Sequence, residues 1–283
     1  MRRDRRRFCA LVAATGAGCA LGETPPPWEA RLRGDTLALL GEVHDNAEAH
    51  RRRAASLRRA VAAGWRPAIV MEQFDADRQA AIDRSRRERP DDASHLVAQA
   101  SPGRSGWDWA LYRPVLELAL AFDLPLVAGN LPRAEATRLV REPFDAVLGP
   151  QRTIRLGLGA PVDAAWQAAQ ESEIDAGHCG TLSRTLWPGM VRAQAARDAQ
   201  MAQALREHAS RGAVLLAGNG HVRRDLGVPR RLSGVAADRV LAVGYVEEGT
   251  APTGPQQYDA VVITPPTDRG DPCAALRERA PSR

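Results

Sequence analysis

The chain has 283 residues, a hydrophobic fraction of 44% and a charged fraction of 26%, the balance of a globular protein with one large domain or two small ones. Its formal charge of +5 is concentrated in the first eighteen residues, where five arginines stand against one aspartate; the remainder is near neutral, which excludes nucleic acid as a partner expected from charge. Every basic residue is an arginine, so each surface cation is a planar fork suited to oxyanions.

Residues 1–19 read as an export signal. Arg2, Arg3, Arg5, Arg6 and Arg7 precede an Ala- and Gly-rich apolar stretch, Phe8 to Gly18, and Arg5-Arg6-Arg7-Phe8 fits a twin-arginine pattern. Cys19 follows Gly16-Ala17-Gly18 and is a candidate for lipidation and membrane attachment; the alternative is ordinary cleavage nearby. Residues 20–29, with Pro25-Pro26-Pro27, form a stiff tether, residues 30–275 the domain, and 276–283 a polar tail. The expected location is periplasmic or membrane-anchored. In an oxidising compartment Cys179 and Cys273 are an even pair. A bridge between them would contribute about 4 kcal/mol through chain entropy, and two buried thiols are the other possibility.

Six apolar runs have strand length: Thr36–Leu40, Ala68–Met71, Leu124–Ala128, Ala213–Ala217, Val240–Val246 and Ala260–Thr264. Their near-continuous apolar character predicts strands covered on both faces. Helices are predicted over His50–Ala63, Ala76–Arg89, Trp109–Phe122 (with Pro114 near its first turn) and Gly189–Ser210, the last carrying Val191, Ala195, Ala202 and Leu205 at helical spacing. Alternation of strand and helix predicts an α/β protein, a three-layer αβα domain with a mainly parallel central sheet. The polar segment from Pro90 to Trp107 and the helices between Pro143 and Trp187 read as a cap or helical insertion.

Two of the strands end in the same local pattern. Leu37-Ala38-Leu39-Leu40 runs into Gly41-Glu42-Val43-His44, and Val214-Leu215-Leu216-Ala217 into Gly218-Asn219-Gly220-His221. Groups just past the carboxyl ends of parallel strands converge on one crevice. Glu72 closes the second strand, and Gly129-Asn130 the third, with Arg133 soon after. Imidazoles and carboxylates gathered at one sheet edge suit general acid–base chemistry by Glu42, His44, Glu72 and His221. They equally suit a divalent, zinc-like metal held by His44, Glu72 and His221 with a water left for reaction. His178, flanked by glycine, faces either a pocket or a turn. His50 and His208 read as solvated residues of charged helices. Trp107, Trp109, Trp166 and Trp187 either line a flat slot or belong to the core.

These motifs resemble those of the ChaN-like haem-binding uptake proteins of the Tiki superfamily. The matching stretches are Leu39 to Asn46, Met71-Glu72-Gln73-Phe74, Ala128 to Arg133, Gly177-His178-Cys179-Gly180, Ala217 to Asp225 and Gly227-Val228-Pro229. Tyr258-Asp259 and Thr264-Pro265 also fit, so the likeness spans roughly residues 30–275. The resemblance implies a three-layer αβα fold and an exported, often lipid-anchored protein tied to haem or iron acquisition. It also implies haem held at a homodimer interface, by residues drawn here from His44, Asn130, Arg133, His178, Asn219, His221 and Arg224. The wider superfamily includes metalloproteases, and its site maps onto His44, His221 and Glu72. The fold resembles erythromycin esterases, whose glutamate has Glu42 as its counterpart, so a protease- or esterase-type hydrolase is the alternative. Tyrosine is a chemically reasonable iron ligand, and the chain holds three: Tyr112, Tyr245 and Tyr258.

Overall fold

A computed structural model describes residues 24–103, 106–161, 163–250, 257–271, 273, 274 and 278; the export signal and Cys19 lie outside the described residues. Six strands form one sheet: β1 (Leu37–Leu40), β2 (Ala68–Asp75), β3 (Leu126–Asn130), β4 (Ala213–Leu216), β5 (Val240–Glu247) and β6 (Ala260–Thr264). Every pairing is parallel, in the order β3-β2-β4-β1-β5-β6. All six predicted strands are present, with β2 and β3 running further, into Asp75 and Asn130.

The chain order on this sheet explains where a crevice opens. β1 sits centrally and its chain crosses β4 to reach β2, while β4 crosses β1 to reach β5. The carboxyl ends of β1, β2 and β4 therefore surround a switch point. Alternate residues of each strand face opposite helical layers. Ala38 and Leu40 join a core with α1 (Ala47–Ala62), α2 (Gln79–Glu88), α3 (Ala93–Ala100) and α4 (Trp109–Ala121), whereas Leu37 and Leu39 pack on a long helix over Trp187–Glu207. Burial on both faces is what makes these strands uniformly apolar.

Between β3 and that long helix stands the helical insertion: α5 (Arg133–Leu139), α6 (Phe144–Leu148), α7 (Pro150–Arg155) and α8 (Ala164–Gly177). The long helix is thus α9, and it shares a third core with the insertion through Leu139, Leu156, Ala195 and Ala199. Gly189 is where α9 meets α5 most closely. A Cβ there would lie 1.9 Å from the Val140 carbonyl oxygen, and rigid backbone cannot yield. Gly189→Ala is expected to lower stability by about 3 kcal/mol, read as the shift in urea midpoint at unchanged slope.

Three expectations need correction. The polar segment after Pro90 contains α3, because Asp92 caps it by accepting from the His95 amide at 2.8 Å. Pro114 lies in the second turn of α4, not near its first. His50 is buried: the arginine-rich α1 turns part of its polar face toward the sheet end. Cys179 and Cys273 are joined as a disulfide, with Cα atoms 5.8 Å apart. Upstream of Leu32, Trp28 already packs on the main core and Glu29 accepts from Ser56 and Arg59.

Candidate functional site

Past β1 the chain stays extended, so Glu42 and His44 face the same layer, that of α1 and α4. Glu42 is buried, and four donors converge on it. His44 Nδ1 lies 2.7 Å from Oε1, the Tyr112 hydroxyl donates at 2.5 Å, the Gln73 amide donates at 3.2 Å, and the Arg53 guanidinium pairs with Oε2. Burial alone would raise its pKa, but the Arg53 charge and the His44 hydrogen bond hold it down to about 2. His50 completes this cluster as a neutral ring. Its Nδ1 accepts from Arg53 at 3.0 Å and its Nε2 donates to the His44 carbonyl at 3.1 Å. Burial, reinforced by the Arg53 charge, depresses it to about 4.

On the opposite face of the sheet edge a second chain of groups runs from α9. Asp198 lies 2.6 Å from His221 Nδ1, His221 Nε2 is 3.5 Å from Glu72 Oε1, and Glu72 Oε2 accepts the Gly218 amide at 2.8 Å. Although burial disfavours its charge, His221 is raised to about 10 by Glu72 and Asp198. Asp198 opposite it is raised by burial in turn, so the two titrate as one coupled pair. Burial likewise opposes the charge on Glu72, yet His221 keeps it ionised at about 2.

The two clusters meet at Gly218. A Cβ there would lie 3.0 Å from His44 Cε1 and 3.8 Å from Glu72 Oε2, so a side chain at this position would push the His44 ring back from the strand end. His44 keeps an accessible edge, its side chain being 48% exposed, and packs edge-on against Trp107 with centroids 4.8 Å apart. Burial lowers the affinity of His44 for a proton, but the Glu42 hydrogen bond and nearby carboxylates outweigh it and raise its pKa.

The structure thus brings together Glu42, His44, Glu72 and His221. Both nitrogens of His221 face carboxylates, Nε2 toward Glu72 and Nδ1 toward Asp198. Among the described residues no group of three or more His, Cys, Asp or Glu side chains is arranged to hold a metal ion. Asn219 and Arg224 are committed elsewhere: Asn219 clasps the backbone of Tyr245 through both ends of its carboxamide, and Arg224 forks onto Asp259. Asn130 accepts from Arg197 at 3.1 Å. Arg133 is exposed and lines two cavities at once.

One of those cavities is a cleft of about 490 Å³ between α5, α8 and α9, reaching down to His221. Its apolar lining includes Val140, Ile174, Met190 and Leu226, and its cations include Arg133 and Arg197. His178 lines it as well, at the C-terminal end of α8 beside the disulfide. Its Nδ1 lies 2.7 Å from the Ile174 carbonyl one turn back, which places a hydrogen on Nδ1 and leaves Nε2 as the acceptor. The pocket and turn readings of His178 both hold. Of the three tyrosines, Tyr112 donates to Glu42. Tyr112 is raised by burial and by Glu42, so its hydroxyl remains protonated; burial pushes Tyr245 and Tyr258 each to about 12.

Sequence reasoning missed Asp198 and Arg53, and it did not join Gln73 or Tyr112 to Glu42. The first two had a signal. Val191, Ala195, Ala202 and Leu205 mark the buried stripe of α9, and Asp198 fills its vacant place. Arg53 likewise falls on the Ala49–Ala60 stripe of α1. An acid or base at an apolar position of a buried stripe implies a buried partner.

Residues 28–232 match the profile of a family described as haem-binding uptake, Tiki superfamily, ChaN. Among solved structures, the chain resembles ChaN of Campylobacter jejuni, whose structure concerns cofacial haem binding. The TM-score is 0.60 at 18% identity, over 76% of this chain and 82% of that one. An erythromycin esterase in its open conformation matches at a TM-score of 0.44 and 15% identity, over 81% and 76% of the two chains. No curated protein matches the chain.

Proposed function

We propose, from the premise that this chain belongs to the haem-binding uptake family of the Tiki superfamily, that of ChaN, that it binds haem in the cleft between α5, α8 and α9. The observation that carries the proposal is His178. A histidine hydrogen-bonded to a carbonyl through Nδ1 presents Nε2 to a metal with its orientation fixed, and here it does so in an apolar-walled cleft with Arg133 and Arg197 at hand. Bound haem would supply an iron centre and two propionates; His178 would hold the first, and the guanidinium forks of Arg133 and Arg197 would hold the second. Haemin added to the purified protein is expected to give a Soret band saturating at a defined stoichiometry. His178→Ala is expected to shift that band and weaken binding by about tenfold or more. An unchanged spectrum at stoichiometric haemin would dismiss the proposal.

Residues 1–19 are proposed as an export signal and Cys19 as a lipid anchor, which places the domain in the periplasm or on a membrane. No helix among the described residues is long and apolar enough to cross a membrane. The cofacial haem binding of the Campylobacter jejuni protein makes a homodimer the assembly to look for, by sedimentation with and without haemin.

A second reading rests on a different observation, the Glu42–His44 pair with Trp107 beside it. A buried carboxylate fixing Nδ1 of a half-exposed imidazole is the arrangement of an oriented general base. Ester hydrolysis without a metal is its expected chemistry. If it operates, His44→Ala lowers turnover of p-nitrophenyl acetate by roughly a hundredfold; turnover equal to that of the buffer blank in the native protein removes this reading.

A further inference from the structure

On the far side of the insertion, away from the strand-end clusters, α8 and α9 enclose a separate pocket of about 340 Å³, within the size range of small-molecule sites. Its apolar walls include Leu158, Trp166 and Val191. Three arginines also line it: Arg192, Arg230 and Arg231. None of the three is in a salt bridge among the described residues. Arg192 donates to the carbonyls of Leu139 and Val140. Arg231 reaches only the Gly157 carbonyl, at 3.4 Å, and lies 6.0 Å over the Trp166 ring. Arg230 is exposed at the mouth. The one carboxylate in the lining, Asp163, has an oxygen occupied by the Trp166 amide at 2.8 Å.

Trp166 is also fixed from the other side. Its indole Nε1 donates to the Leu226 carbonyl at 3.0 Å, so the ring is held in place and a ligand stacking on it orders nothing further. Burial lowers the pKa of Arg231 by more than the nearby Asp198 charge raises it.

We infer that this pocket is a binding site for a small amphipathic oxyanion, a flat apolar body bearing a carboxylate or phosphate. The body lies against Trp166 and Leu158, and the anionic end is forked by Arg230 and Arg231. The pocket shares no lining residue with the haem cleft.

The test uses the purified full chain with 2-naphthoate, 2-naphthyl phosphate, 2-naphthol and inorganic phosphate, followed by calorimetry and tryptophan fluorescence. Saturable binding of 2-naphthoate or 2-naphthyl phosphate, about tenfold tighter than 2-naphthol and than inorganic phosphate, is the expected result. The better of the two anions identifies the headgroup. Arg230→Gln, at an exposed position that folding tolerates, and Arg231→Gln should each weaken that anion by about tenfold, with haemin binding unchanged. Trp166→Phe should retain calorimetric binding and lose most of the fluorescence change. Equal affinity for 2-naphthol and the anions, or indifference of binding to both arginine variants, overturns the inference. So does loss of haemin binding in those variants, which would make the pocket part of the haem site.

Discussion

Glu42→Ala is expected to destabilise the protein by about 3–5 kcal/mol, among the largest effects of any single substitution here. The reason is the company Glu42 keeps. Arg53 is 1% exposed, and removing the carboxylate leaves a guanidinium buried without a counter-charge. Tyr112, Gln73 and His44 each lose an acceptor at the same time. The double variant Glu42→Gln, Arg53→Met should recover much of the loss, because a neutral amide and an apolar chain need no pairing. A double-mutant cycle by urea denaturation checks this, and additive losses would show that the ion pair is not what the fold depends on. The same pairing sets an acid limit. Glu42 and Glu72 are each held near 2 against a reference of 4.5. The folded state therefore binds fewer protons than the unfolded one in that window, and the stability they contribute is present above about pH 4.5 and lost as pH falls toward 2.

His221→Phe is expected to cost a similar 3–5 kcal/mol at pH 8, since it strands Glu72 and Asp198 as two buried carboxylates with no cation between them. Its pH signature falls in a different window from that of the native protein. In the native chain His221 is raised from 6.5 to about 10; its contribution is full below about pH 6.5 and declines as pH rises toward 10. In the variant, burial without a counter-charge lifts both carboxylates above their unfolded values, so the folded state takes up protons and the variant regains stability as pH falls from 8 to 5. Urea midpoints across that range decide the matter. A deficit independent of pH would mean that the lost packing, rather than the lost charge, accounts for it.

Which parts of this site were legible beforehand follows from where each residue sits. Gly-x-x-His at the end of an apolar run is a local pattern, and Glu42, His44, Glu72 and His221 could be placed at one sheet edge from strand signals alone. Helical partners were hidden by their surroundings in sequence. Arg53 lies in Arg51-Arg52-Arg53 and Asp198 follows Arg197, so each reads as one more solvated charge until helix phase is considered. His50 was misplaced for the same reason. Asn219, two positions before His221, proved to be a clamp on Tyr245, because nearness in sequence does not specify which way a carboxamide turns.

The parallel α/β architecture was written in the chain itself: uniformly apolar strands, helices ended by glycine, and two matching junctions require only local periodicity and burial to be recognised. Strand order, the division of the site between the two faces of the sheet, and the pairing of His221 with Asp198 and Glu72 were settled by packing. They depend on contacts between segments far apart in the chain, such as Glu72 with Gly218 and His221 with Asp198. The electrostatic fate of a buried group is set by which charges the fold brings beside it.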